Sequence, residues 1–485
     1  MFNKKLFQLC LSVSLGLLAG AQADTALNSA QLPAAPVVQA PANLEQIYSL
    51  AQVLNGTVPG TNNLGANFGS AVALNGDYLF VGAANAAPNK IPNAGVLNIY
   101  KKDANGNYTP SQQITSLQGP NDLLGSVGSI SSDGNWLFVS IGGSPNGEGA
   151  STRNGGLVQV YKLKEVEKVK TWVPKQQLQP ADLALGDNFG GFRISLDAKA
   201  GWAFISAPQQ DTITADGEEA IGGGAVYVYR FDAINKAWVN TQKITKPDGY
   251  SAPDTHFGVS TAIQGPFALI GSDNGNAGGN NGSVYAYLFV GGKWVNTQII
   301  TGDKPEMLDP VTQGDGFGMS VSIDGDWAVI SAPLDSTQGV AEHGKVYFFK
   351  GKTRDGVKTW VKADSSLSDV SNQAGFLGTK VLVKGKNAFV TTLNRSDVDN
   401  RVYGGAVHLF QRSDNAWTLK QTFGGGEGYT FSGADFAYSP SRNVIAVGSF
   451  SNLDYYIPEL PFARNFKNTS VAAQDVAVKI FKTAQ

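Results

Sequence analysis

Carboxylates and histidines are the side chains in this sequence with the most to offer a reaction. Asp187, Asp254 and Asp315 each stand just ahead of a Phe-Gly pair, and Asp122 stands ahead of Leu124-Gly125. Two such carboxylates held at a defined separation could cleave a glycosidic bond. Other acidic groups share short stretches: Asp211, Asp216, Glu218 and Glu219 in one, Asp397 and Asp399 with Arg401 in another. Aspartate also makes turns and caps backbone N–H groups, so each has a structural reading beside the chemical one. His256 occupies the place that Asn67, Asn188 and Gly316 take in similar segments, and His408 that of Tyr227, Tyr285 and Tyr347. His343 precedes a glycine that opens a strand pattern. Such recurrent places favour structural roles over catalysis. No H-E-x-x-H or G-x-S-x-G occurs, and the one cysteine is Cys10. Zinc hydrolysis, serine-hydrolase and thiolate chemistry therefore lack their usual parts.

Three further features could bind rather than react. Gly222-Gly223-Gly224 and Gly424-Gly425-Gly426 would cradle phosphate only between a strand and a helix N-terminus, and no helix pattern follows them. The tryptophans could stack on sugars, but their fixed place in successive segments favours packing. The stretch from Ser449 to Gln474 holds Tyr455, Tyr456, Ile457, Leu460, Phe462 and Phe466, with Pro458 and Pro461. So many large apolar groups are costly in water. They fold back over the body of the protein or meet a partner, and both readings stand.

The elements that would position these residues are short strands. The 485 residues include 58 Gly and 10% aromatics, with 16% charged residues. Abundant turns and aromatics indicate an all-β chain. A net charge of -2 provides no basic surplus for nucleic acid. Lys4-Lys5, the apolar run Leu6 to Leu18 and Ala21-Gln22-Ala23 read as a signal peptide over 1–23. That makes the protein exported: periplasmic, on the cell surface or secreted. No transmembrane segment is expected. Residues 24–43, rich in Ala, Pro and Gln, read as a flexible linker.

Residues 44–485 repeat a unit of roughly 60 residues. Each opens on an aromatic or Leu followed by Gly: Phe68-Gly69, Leu124-Gly125, Phe189-Gly190, Phe257-Gly258, Phe317-Gly318 and Leu377-Gly378, then a degenerate Phe431-Ser432-Gly433. A short strand, a tight turn such as Asp324-Gly325 and a second, continuously apolar strand such as Trp327 to Ile330 follow. The second strand ends in small residues, as in Ser206-Ala207-Pro208. A variable loop leads to a third strand that Gly usually opens. The fourth carries an aromatic, then Gln four residues later: Tyr108/Gln112, Trp172/Gln176, Trp238/Gln242, Trp294/Gln298 and Trp417/Gln421, but not after Trp360. The same signature, Tyr48/Gln52, precedes the first unit, whereas no fourth strand follows the third-strand pattern at Val476 to Phe481. The expectation is a seven-bladed β-propeller of four-stranded blades, closed by pairing of the N-terminal strand with the last blade.

The Phe-Gly openings and the Ser-Ala-Pro strand ends resemble the FG-GAP repeats of integrin α chains and of bacterial exported proteins, over about residues 44 to 482. The resemblance implies the propeller fold and leaves activity open. Repeats of the integrin type often hold calcium in a D-x-N-x-D-G-x-x-D loop between strands one and two. Here the corresponding connections, such as Asp133-Gly134-Asn135 and Asp324-Gly325-Asp326, offer two carboxylates at most. A hairpin turn is the better reading, and no cofactor or metal is expected.

The leading expectation is a non-enzymatic binding or scaffolding propeller that recognises a protein or glycan through its loop-bearing face. The residues chosen for that role are Tyr455, Tyr456, Ile457, Leu460, Phe462 and Phe466, beside Asp211, Asp216, Asp397 and Asp399. One alternative is a polysaccharide lyase or hydrolase with an acidic central funnel. Another is a calcium-dependent adhesin.

Overall fold

The computed structural model describes residues 47–55, 66–115, 119–126, 128–141, 155–213, 217, 219–247, 255–273, 282–303, 314–335, 344–368, 375–393, 405–414, 416–424, 431–450 and 477–483. These form seven four-stranded antiparallel sheets, the blades of a β-propeller. Blade 1 consists of Phe68–Asn75, Tyr78–Ala83, Val96–Lys102 and Tyr108–Thr115. Blade 2 is Ile130–Asp133, Trp136–Ile141, Leu157–Val166 and Val169–Leu178. Blade 3 is Ile194–Asp197, Trp202–Ala207, Ala225–Asp232 and Ala237–Thr245. Blade 4 is Ser260–Gln264, Phe267–Ser272, Ser283–Val290 and Lys293–Ile300, and blade 5 is Val321–Asp324, Trp327–Ala332, Lys345–Arg354 and Val357–Ser368. Blade 6 is Val381–Lys384, Asn387–Thr392, Ala406–Ser413 and Ala416–Gly424.

Blade 7 takes its first three strands, Phe431–Ser439, Val444–Phe450 and Val478–Thr483, from the C-terminal region and its fourth, Tyr48–Leu54, from the N-terminal region. Tyr48 lies opposite Thr483, Gln52 opposite Ile480 and Leu54 opposite Val478. The expected closure is thus present residue by residue.

The repeated residues explain how neighbouring blades fit. In blades 3 and 4, the glycine of the Phe-Gly pair has positive φ (Gly190 +79°, Gly258 +97°) and rests against a small second-strand residue of the preceding blade, Ser140 and Ser206 respectively. The Gly that opens a third strand meets the backbone of the next blade's opening. A Cβ on Gly282 would lie 1.8 Å from the Phe317 carbonyl oxygen, and one on Gly344 2.3 Å from Leu377 N. Phe-Gly and the small strand end are therefore two sides of one seam. Around it the second strands are buried throughout, as in Trp202–Ala207 and Trp327–Ala332. Aromatic residues fill the outer part: Trp136 meets Trp238 edge-on at 5.6 Å, and Trp202 meets Trp294 at 5.4 Å.

The fourth-strand glutamine is an inter-blade clamp. Its amide donates to the carbonyl of the next blade's aromatic and accepts that residue's N–H, so one side chain satisfies two groups on the neighbour. Gln112 holds Trp172 this way at 2.9 Å in both directions, and Gln298 holds Trp360 at 2.8 Å in both. Gln176 and Gln242 repeat the contact with Trp238 and Trp294. Tyr48 and Gln52 carry it across the closure, to Gln421 on one side and Tyr108 on the other. The blade 5 to blade 6 seam lacks it. Leu367 there lies seven positions beyond Trp360, against the six from Trp294 to Ile300, and the extra residue falls in the bulge of the strand. Phe348 stacks on Trp417 at 4.5 Å across this seam instead.

Replacing Gln298 by Ala should leave the Trp360 N–H and carbonyl without this partner and cost about 1–3 kcal/mol. Urea unfolding of Q298A against wild type measures it, and an unchanged midpoint would remove the clamp as a stabilising element.

Candidate functional site

The meander places the connections between strands one and two on one face, together with those between strands three and four. The connections between strands two and three lie on the other face, with those between blades. The first face carries tight turns at 76–77, 134–135, 265–266, 325–326 and 385–386. The second carries the connections 84–95, 142–156, 208–224, 273–282, 333–344, 393–405 and 451–477. Length and variation are therefore concentrated on the second face.

On the tight-turn face, acidic residues are spent on neighbouring backbone. Asp133 accepts the Ala198 N–H at 2.7 Å, Asp197 that of Gly265 at 2.8 Å, and Asp324 that of Gly385 at 2.8 Å. Gln264 does the same for Gly325 at 2.8 Å. Each residue caps the turn of the following blade. Among the described residues, no group of three or more His, Cys, Asp or Glu gathers as a metal site would require.

The expected binding residues divide unequally. Asp211 is described: it is exposed and accepts the Gly222 N–H at 2.8 Å, at the base of a small ribbon formed by Thr212–Ile213 and Glu219–Ala220. Asp216, Asp397, Asp399, Tyr455, Tyr456, Ile457, Leu460, Phe462 and Phe466 lie outside the described residues, as do Asp254 and His343.

The described inter-blade aspartates are not surface groups. Asp122, Asp187 and Asp315 are buried. Asp122 accepts the Gly119 N–H at 3.0 Å, Asp187 that of Ala184 at 2.8 Å and Asp315 that of Phe317 at 3.0 Å. Each caps its own loop. Asp187 feels Asp211 and Lys243, whereas Asp315 feels Asp335 and Lys345. Burial raises the carboxyl of Asp187, and burial with repulsion from Asp335 raises that of Asp315 to about 6.

The first strands of adjacent blades touch one another, so they form the inner wall of the ring. Lys380, just ahead of the first strand of blade 6, pairs there with the buried Asp435 and donates to the Phe436 carbonyl at 2.8 Å. Asp435 also accepts the Val72 N–H of blade 1 at 2.7 Å, so it ties three blades together. Burial lowers the Lys380 ammonium, Asp435 opposes that, and Arg193 of blade 3 adds to the lowering. Lys380, Arg193 and Asp435 thus put two mutually repelling cations and one carboxylate together on the inner wall. Sequence reasoning missed this trio because its members stand at or just ahead of first strands, with no spacing that sets them apart.

His256, His408 and the tryptophans take the structural roles expected of them. His408 is buried between Thr392 at 2.7 Å and Thr422 at 3.0 Å, and His256 faces Asp273 at 3.1 Å. Trp136, Trp172, Trp202, Trp238, Trp294, Trp327, Trp360 and Trp417 are all buried, which removes them as sugar platforms. No described helix is long and apolar enough to cross a membrane.

The FG-GAP repeat family matches residues 238–287 and 310–349. No curated protein matches the chain. Solved structures resemble it distantly. The periplasmic gluconolactonase of Pseudomonas aeruginosa is 16% identical, with 74% of this chain and 86% of that one covered at a TM-score of 0.41. Sqt1 of Saccharomyces cerevisiae is 10% identical, with 90% and 100% covered at 0.44. The chain is thus a β-propeller of seven four-stranded blades that carries FG-GAP repeats at two places, within blades 3 to 5.

Proposed function

We propose that this protein is an exported, non-enzymatic binding propeller that recognises a protein or glycan through the face bearing its long connections. The asymmetry between the two faces carries the reading: turns of nearly uniform length on one, connections of ten or more residues such as 208–224 and 451–477 on the other. A rigid ring with variable loops on one face is a common arrangement for recognition. The aromatic stretch holding Tyr455, Tyr456, Ile457, Leu460, Phe462 and Phe466 supplies the apolar anchors such a surface uses. Asp211, Asp216, Asp397 and Asp399 supply acidic flanks. The Lys4-Lys5 leader with its Ala21-Gln22-Ala23 site supports export.

The test replaces 452–475 by a short Gly-Ser turn and compares the variant with wild type on a glycan array and against immobilised cell-envelope proteins. Binding by wild type, reduced tenfold or more in a variant of equal melting temperature, is the expected result. Undiminished binding would remove the site assignment. Turnover of a polysaccharide by wild type would replace the binding reading with an enzymatic one.

A further inference from the structure

One layer of the inner wall breaks the repeat. In every blade one first-strand residue lies opposite the fourth residue of the second strand, as Ile194 does Ile205 and Val381 does Val390. The register is the same in the other five blades. The residue just before it is Ala71, Ser129, Ser260 or Ser320 in blades 1, 2, 4 and 5. In blades 3, 6 and 7 it is Arg193, Lys380 and Asp435. Small side chains and charged ones thus share one level of the channel that the inner wall encloses.

Several side chains of this layer reach toward the next blade. Ser260 donates to the Gly318 carbonyl at 2.6 Å, and Ser320 accepts the Val381 N–H at 3.1 Å. Lys380 and Asp435 do the same, toward Phe436 at 2.8 Å and Val72 at 2.7 Å. Asp435 also holds Lys380 and accepts the Phe436 N–H, so both its oxygens are engaged. Arg193 departs from this pattern. One of its terminal nitrogens lies 3.8 Å from where a Cβ on Gly128, just ahead of the first strand of blade 2, would stand. Among the described residues its guanidinium makes no hydrogen bond or ion pair. Blades 3 and 6 are not neighbours, so Arg193 and Lys380 repel each other across the channel. The other charged first-strand residues, Asp133, Asp197, Asp324 and Lys384, stand further on, about 13 Å along the strand. Val127 and the side chains of 431–434 lie outside the described residues, and none is of a charged type.

We propose that this layer of the channel is a binding site for a small carboxylate anion, held between the Arg193 guanidinium and the Lys380 ammonium. The planar guanidinium fork matches the two oxygens of a carboxylate. One negative charge between the two cations replaces their repulsion with attraction on both sides. Asp435 leaves that role open, because its oxygens are spent on Lys380 and on the backbone of blades 1 and 7. Ala71, Ser129, Ser260 and Ser320 keep the rest of the level clear for a ligand. The layer stands at the start of the first strands, so the face with the long connections is its nearer mouth. This site does not depend on the partner-binding surface proposed above.

The test compares wild type, Arg193→Gln and Arg193→Lys in the sodium salts of chloride, acetate, lactate and phosphate at equal ionic strength. Wild type should melt about 2 °C or more higher in acetate or lactate than in chloride. Arg193→Gln should lose that difference, and Arg193→Lys, which keeps the charge without the fork, should retain only part of it. In chloride, Arg193→Gln should melt no lower than wild type, because it removes a repulsion and no contact. The methyl resonance of acetate should broaden with wild type and not with Arg193→Gln. A rise shared equally by wild type and Arg193→Gln is the general effect of an excluded salt and would overturn the proposal. A variant that melts well below wild type in chloride would overturn it too, by making Arg193 a structural residue. A response to phosphate alone would overturn the carboxylate assignment.

Discussion

Removing residues 44–56 should turn a cooperative protein into one that aggregates. That segment contains the strand Tyr48–Leu54, which completes blade 7 and pairs along Val478–Thr483. Without it the third strand of blade 7 becomes an exposed edge, and unpaired edges recruit other chains. Two Gln clamps are lost as well, because Tyr48 receives Gln421 and Gln52 holds Tyr108. Tyr48 is buried against Phe423 at 5.9 Å, and Ile480 loses its cover. The cost is several side chains and a whole hydrogen-bonded ladder, far beyond the 1–3 kcal/mol of a typical point substitution. Size-exclusion chromatography should show the truncated chain mostly in aggregates, with any monomer melting at least about 10 °C below wild type. A soluble truncation of unchanged melting temperature would mean that the closing strand adds nothing to the ring.

The fold was legible because each seam repeats its residues. Phe-Gly, the small strand end and the Gly before strand three recur in the same order in successive units, and each is forced by one close approach between blades. What they touch was not legible. The Gln four residues after Trp reads as a strand signature, yet its partner is the aromatic of the next blade, about one repeat of roughly 60 residues away. Likewise Asp133 and Asp324 read correctly as turn residues, but their capping of the following blade depends on blade spacing alone. The functional surface was least legible. Loop sequences follow no repeat, so composition was the only guide to Tyr455, Phe462 and their neighbours.

The same logic predicts that two glycines of similar conformation differ sharply in what they tolerate. Gly325, in a turn of blade 5, has φ +59°, and a Cβ added there meets nothing within 4 Å. Gly325→Ala then carries only the left-handed strain of an L residue, about 1–2 kcal/mol. Gly224, ahead of the third strand of blade 3, has φ +80° and sits in the seam. Its Cβ would lie 2.3 Å from the Phe257 oxygen, 2.5 Å from the Phe257 nitrogen and 2.8 Å from the Pro208 oxygen. All three are backbone atoms, and Phe257 is held by its own N–H to the Gly223 carbonyl at 3.1 Å. Relief therefore requires blades 3 and 4 to separate, and overpacking of this kind adds about 3 kcal/mol or more to the strain. Urea unfolding of Gly224→Ala and Gly325→Ala should give midpoints that differ by that added cost. Equal losses would mean that conformation alone fixes glycine at the seam, and that the close approach of neighbouring blades does not hold the ring in register.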